Sequence, residues 1–303
     1  MQAAKRILVT GASGLLGRAL CAELSHTHEV IRSSRRATNS AAAADLSDEA
    51  SVVRLIRETN PHLIVNSAAF ADVDGCELDP KRAYEANALS AKHLASSCAA
   101  AGIPWVQIST DYVFDGRADR PYRETDPTAP VNIYGLTKLA GEVFALSGSA
   151  DCAVVRTSWL FGAGAPTSFV NAVLCRLKTE KVVSVLDDQM DAPTSVKDLS
   201  RAVGRITERM LEQPGSFGRK VYHVCNTGGA TRLEMARWMR ECLGQGARVE
   251  RTDRSKIPNR VALRPPYAVM SNEAFVRDFG LPMRSWKESL KEFVRSEEVP
   301  CGS

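Results

Sequence analysis

The stretch KRILVTGASGLLG, residues 5–17, restricts the fold more than any other part of the chain, because it joins an apolar β-type run to a helix through a glycine-spaced turn. Gly11, Gly14 and Gly17 follow a GxxGxxG spacing. Glycines there let the turn close tightly and bring backbone N–H groups up to a pyrophosphate. The following helix, expected from about Leu15 to Ser25, can then pack near the strand with its positive end toward the phosphate charge. A glycine trio alone is a weak signal. Between a strand and a helix, at the head of a repeating pattern, it has the context that dinucleotide binding requires.

That pattern continues along the first half. HEVIRS precedes a helix near 48–59, HLIVNSA a helix near 79–101, and PWVQIST a loop and a helix containing Tyr134; CAVVRTS at 152–158 adds a strand. Short apolar strands alternating with helices imply a parallel sheet covered on both faces, a doubly wound (Rossmann) α/β domain. Beyond Trp159 the pattern loosens into loops such as FGAGAPTS and DDQMDAPTS. The division expected is a nucleotide-binding Rossmann domain over 1–160. Residues 161–303 would form mainly a smaller C-terminal substrate-binding domain, with some elements returning to the first.

Composition sets outer bounds. A chain of 303 residues, 44% hydrophobic and 24% charged, can bury a sizeable core. There is no run of about 18 apolar residues and no A-x-A-like cleavage site near the start, so a cytoplasmic protein without membrane association is expected. The eight cysteines form no CxxC pair, which points to free thiols rather than a metal site or a disulfide framework. The net charge of +4 is mild, and no long block of like charge suggests a nucleic-acid partner.

RSSRR at 32–36 is the one basic cluster that needs a reason. It falls at the end of the second strand, where a carboxylate would bind the ribose 2′-hydroxyl of NAD and an arginine would accommodate the 2′-phosphate of NADP. Glu29 is read as preceding the strand, and Arg35 and Arg36 supply charge and bidentate donors. NADPH is therefore the cofactor expected.

VNIYGLTKLAGE at 131–142 places Tyr134 and Lys138 four residues apart, on one face of a helix. Of the six tyrosines, only Tyr134 has a lysine at that spacing. A neighbouring ammonium favours phenolate, so the pair is expected to bring the phenol below its usual pKa of about 10 and make it a better proton donor near neutral pH.

Together these segments resemble an extended short-chain dehydrogenase/reductase, and within that superfamily the dTDP-4-dehydrorhamnose reductase family. The resemblance runs through TGASGLLG, DLSD at 45–48, IVNSAAFADVDGCE at 64–77, ISTDYVFDG at 108–116, the Tyr134 segment, RTSWLFG at 156–162 and DDQMDAPTS at 187–195. It implies catalytic roles for Thr110, Tyr134 and Lys138, with Lys138 also binding the nicotinamide ribose. It implies cofactor contacts at Gly11, Ser13, Gly14, Leu15, Leu16, Gly17, Asp45, Leu46, Ala68 and Ala69, with Asp45 and Leu46 flanking the adenine. Substrate contacts are implied at Val73, Thr110, Asp111, Tyr112 and Trp159, with no metal and with room for a homodimer. The implied reaction is hydride transfer from NADPH to a 4-keto sugar nucleotide. Tyr134 would protonate the developing alkoxide, Lys138 would lower its pKa and Thr110 would hydrogen-bond the carbonyl oxygen.

Two relatives in kind can be weighed by residue. Sugar-nucleotide 4,6-dehydratases carry an Asp-Glu pair after the catalytic threonine, whereas Tyr112 follows Asp111 here, so reduction is preferred to dehydration. The regulatory β subunit of methionine adenosyltransferase also binds NADP and shares a similar TGATGLLGRA turn and DYVFDG. As the alternative, it would give this chain a methionine adenosyltransferase catalytic subunit as partner. Phe70 and Ala71 stand where rhamnose enzymes commonly have His-Thr, a departure that bears on the sugar rather than on the reduction.

Overall fold

A seven-stranded sheet organises the computed structural model, which describes residues 4–35, 42–148, 150–164, 168–244, 246–253 and 260–296. The first half runs β1 (Arg6–Thr10), α1 (Leu15–Leu24), β2 (Glu29–Ser34), β3 (Ala42–Ala43), α2 (Glu49–Thr59), β4 (Leu63–Asn66), α3 (Val73–Leu78), α4 (Pro80–Tyr84), α5 (Ser90–Ala101), β5 (Trp105–Thr110), α6 (Ile133–Ser147) and β6 (Cys152–Thr157). Then follow β7 (Leu160–Phe161), α7 (Phe169–Thr179), β8 (Val182–Leu186), β9 (Met190–Asp191), β10 (Thr194–Ser195), α8 (Val196–Glu212) and β11 (Arg219–His223). The last are β12 (Ala230–Thr231), α9 (Arg232–Leu243), β13 (Arg248–Thr252), α10 (Glu273–Phe279) and α11 (Trp286–Arg295).

The strand order is β11-β6-β5-β4-β1-β2-β3, with every pair parallel. Strands β4, β5 and β6 are buried at every position, as a sheet covered on both faces requires. Successive side chains point to opposite faces. Ile7 and Val9 of β1 pack with Leu16, Leu20 and Leu24 of α1, while Leu8 between them packs with Val52, Leu55 and Leu94 on the other side.

The second half is shared between two cores. α8, β11 and α10 return to the sheet, where Leu199, Val203, Ile206, Tyr222, Phe275 and Phe279 join the α1 face. A separate cluster gathers Leu174 and Leu177 of α7, Val183 and Val185 of β8, Leu233 and Met239 of α9 and Leu290 of α11. Glu29 is the first residue of β2 rather than a residue before it. It sits at the strand end away from the glycine turn, so the end beside that turn still lacks a carboxylate. The helix expected over 79–101 begins at Pro80, capped by Asp79, and is interrupted by a π turn over Glu85–Leu89. No described helix is long and apolar enough to cross a membrane.

Candidate active site

The glycine turn opens onto a cavity of about 700 Å³ at the C-terminal ends of the strands, lined by Thr10, Gly11, Ser13, Gly14, Ser33, Ser34, Arg35, Asp45, Leu46, Ala68 and Ala69 among others. It lies where the strand order reverses between β1 and β4, the crevice in which doubly wound sheets bind ligands. Gly11 has φ +67°, and a Cβ there would stand 2.6 Å from the Ala68 nitrogen; a Cβ on Gly17 would stand 2.1 Å from the Gly11 oxygen. The turn closes only with glycine at both positions.

Gly14 caps α1 without a side-chain hydrogen bond, which leaves backbone donors at the helix start for an anion. Arg35 is on the rim beyond β2, while Arg36 lies outside the described residues. Two hydrogen bonds from Ser47 hold the Asp45 carboxyl below its usual range, and the Arg35 charge adds to that. An uncapped helix N-terminus, a roomy crevice and an arginine at the end of β2 fit a dinucleotide. Leu15, Leu16 and Gly17 are not among its lining: Leu16 and Gly17 are buried, and Leu15 packs on the core beneath the turn.

Tyr134 and Lys138 do share a face of α6, and the start of that helix is fixed from several sides. Asn132 caps it through Gly135 N at 2.8 Å and donates to the Leu263 carbonyl at 2.7 Å. Asn87, on the π turn, bonds the Phe70 backbone in both directions and donates to Thr137 at 3.1 Å, tying the loop after β4 to α6. One turn after Lys138, buried Glu142 accepts from Ser109 and pairs with Arg156 at 2.7 Å, so α6 is also locked to β5 and β6.

Thr110, at the end of β5, stands beside the Tyr134 phenol, and the Tyr112 ring meets Tyr134 edge-on at 5.8 Å. The Lys138 ammonium, 3% exposed, donates to the Ile108 carbonyl at 2.6 Å. Its pKa is lowered to about 8 by burial, against the pull of Glu142. The phenol departs from the sequence expectation. Burial raises the Tyr134 pKa above its usual value, the nearby Thr110 hydroxyl only partly offsets this, and the Asp111 charge adds to the rise.

Asp111 and Thr157–Trp159 close the deep side. Thr110 donates to Asp111 at 2.9 Å and Ser158 donates to its other oxygen at 2.8 Å, so this carboxylate is turned inward. Trp159 adopts φ +36°, a left-handed conformation that is strained for a bulky side chain. Its ring lies 5.0 Å from the Arg232 guanidinium, which also covers Phe169 at 4.9 Å. Tyr112 accepts from Gln189 at 3.1 Å, and burial pushes its phenol up to about 12. Val73 opens α3 and is half-buried. Across this region runs a strap in which Asp74 accepts from Arg264 at 2.7 Å and from Ala262 N at 3.0 Å.

A phenol, an ammonium and a hydroxyl thus gather at the same edge of the sheet as the glycine turn. The sequence profile described as RmlD substrate binding domain matches residues 5–299. The chain belongs to that family. Among RmlD-type relatives, the spore coat polysaccharide biosynthesis protein SpsK of Bacillus subtilis is 35% identical over 98% of this chain and 99% of its own. The dTDP-4-dehydrorhamnose reductase of Mycolicibacterium smegmatis is 37% identical over 96% of this chain and 85% of its own. A crystal structure of the dTDP-4-dehydrorhamnose reductase from Bacillus anthracis in complex with NADP matches with TM-score 0.86 and 31% identity, over 96% of this chain and 99% of that one.

In this RmlD-family chain, sequence reasoning missed Ser158, Asp191, Gln189 and Arg232, each within the deep side of the site. Arg232 opens α9 behind a Thr-x-x-Glu capping box, so its place at a helix start was readable, but its neighbours were not.

Proposed function

We propose that the protein uses NADPH to reduce the 4-keto group of a dTDP-linked 6-deoxy sugar, with dTDP-4-dehydro-6-deoxy-L-mannose as substrate and dTDP-L-rhamnose as product. The observation that carries this reading is that Thr110, Tyr134 and Lys138 meet at the C-terminal end of β5, on the same edge of the sheet as a dinucleotide-sized crevice. The relatives' reductase names support it. When bound, NADPH supplies the hydride.

The chain's own share follows from the site. Donors at Gly11, Ser13, Gly14 and the start of α1 would hold the pyrophosphate, and Arg35 with Arg36 would meet the 2′-phosphate. Asp45, Leu46, Ala68 and Ala69 border the rest of the cofactor. Tyr134 delivers its proton to the alkoxide oxygen that forms at C4. A phenol raised by burial is suited to this direction, because it stays loaded with its proton throughout the neutral range. Thr110, whose own proton is committed to Asp111, stands beside the phenol and leaves the phenol's proton free for the alkoxide. Residues 1–160 serve the cofactor and 161–303 mainly the sugar nucleotide. Val73, Tyr112 and Trp159 wall its pocket, and Arg232, Arg260 and Arg264 supply positive charge for its diphosphate.

The alternative of a regulatory β subunit of methionine adenosyltransferase gains no support from these relatives. The deciding experiment gives the purified protein NADPH and dTDP-4-dehydro-6-deoxy-L-mannose. NADPH oxidation matched by dTDP-L-rhamnose is expected. Co-purification with a methionine adenosyltransferase catalytic subunit, with no NADPH oxidation on a panel of 4-keto sugar nucleotides, would overturn the proposal.

A further inference from the structure

Behind Thr110 lie two carboxyl groups where the proposed reaction uses none. Asp111 is 2% exposed and Asp191, on β9, is fully buried. Both Thr110 and Ser158 donate their hydroxyl protons to Asp111. Neither Asp191 oxygen has a hydrogen-bond partner of ordinary length among the described residues, and the same is true of the Trp159 indole nitrogen and the Arg232 Nε beside it. Asp191 is held in this position by pairing of β9 with β12, which sets Asp191 opposite Ala230, immediately before α9 and Arg232.

Two buried carboxyl groups set against each other cannot both be charged without large cost, so one keeps its proton. Asp111 is the natural anion, because two hydroxyls already donate to it. Asp191, with Arg232 as its nearby cation among the described residues, is the natural acid. Burial raises both groups, Asp191 well above the usual carboxyl range and Asp111 to about 6. The other titratable groups around them are Tyr112, Tyr134 and Cys225, all neutral near pH 7 because burial raises each one.

We infer that Asp191 is a positioning residue for the proposed reduction: as the protonated partner of Asp111 it keeps that carboxylate ionised, and so holds the Thr110 hydroxyl, a donor to Asp111, in one orientation beside Tyr134. If Asp111 takes up a proton it becomes a donor itself, and the Thr110 hydroxyl beside the phenol is free to turn. Turnover therefore declines on the acid side with the ionisation of Asp111. This inference rests on the reductase reading for its kinetic test, but not for its spectroscopic one.

The test compares Asp191→Leu, Asp191→Asn and Ser158→Ala. Leucine removes the acid proton proposed to face Asp111, so the acid limb of kcat should move to higher pH by about one unit or more, a tenfold change in ionisation. Asparagine keeps an N–H donor and should hold the limb near its wild-type position. Ser158→Ala removes a different donor to the same carboxylate and should also move the limb upward, which keeps the test alive if the leucine variant fails to fold. A limb unmoved by Asp191→Leu and Ser158→Ala, or moved equally by Asp191→Asn and Asp191→Leu, would overturn the inference. Independently of turnover, infrared spectra at neutral pH should show the carbonyl stretch of a protonated carboxylic acid that disappears in Asp191→Asn. Its absence from the wild type would overturn the inference even if the protein is a reductase, and its presence in an inactive protein would leave the pair standing while the reductase reading fails.

Discussion

Gly135 is pressed against the carbonyl of Tyr112: a Cβ added to it would stand 2.0 Å from that oxygen. The contact brings the first turn of α6 onto the Asp111–Val113 turn, and so sets Tyr134 beside Thr110. Gly135→Ala must push the two segments apart. Overpacking of this kind costs about 1–3 kcal/mol. The expected result is a lower Tm together with a loss of turnover larger than the loss of NADPH affinity, measured by thermal unfolding, steady-state kinetics and cofactor titration.

Arg35 stands at the rim of the cofactor crevice and is exposed. Charge-assisted hydrogen bonds are worth about 1.5–3 kcal/mol, and solvent exposure places Arg35 at or below the lower end. Arg35→Ala should therefore weaken NADPH binding by about tenfold or less and leave NADH binding nearly unchanged. Equal losses for the two cofactors in a titration would speak against a 2′-phosphate contact.

Lys138 is buried, and its pKa of about 8 falls within the working range. Below that pH it carries the charge that the ribose contact requires; above it the charge is lost. Turnover and cofactor affinity should both decline as pH rises through about 8, and Lys138→Met should lower both without leaving an alkaline limb at that pH. A pH profile of kcat and of NADPH affinity decides it.

The sheet and the crevice were readable because their signals are local. An apolar strand, three glycines and a helix occupy residues 6–24, and each glycine answers a contact inside that unit or one strand away. Tyr134 and Lys138 were readable for the same reason, since helical spacing alone puts them on one face. The phenol's pKa was not, because it depends on what covers the ring: Tyr112 and Thr110 come from the preceding strand end, and burial outweighs the partner that the spacing suggested. Asp191 and Arg232 stand 80 and 121 residues beyond Asp111, respectively, in chain number, and no periodicity links them. The return of α8 and β11 to the sheet was foreseen only in outline. Their apolar faces fit either core equally well on pattern, and only the tertiary contacts choose.

The most direct test of the account is the turnover of Tyr134→Phe. The substitution removes the phenolic proton while keeping the ring against Tyr112. With dTDP-4-dehydro-6-deoxy-L-mannose and NADPH, kcat should fall by about 10²-fold or more while NADPH affinity stays near that of the wild type. Turnover undiminished by the substitution would contradict the assignment of Tyr134 as the acid.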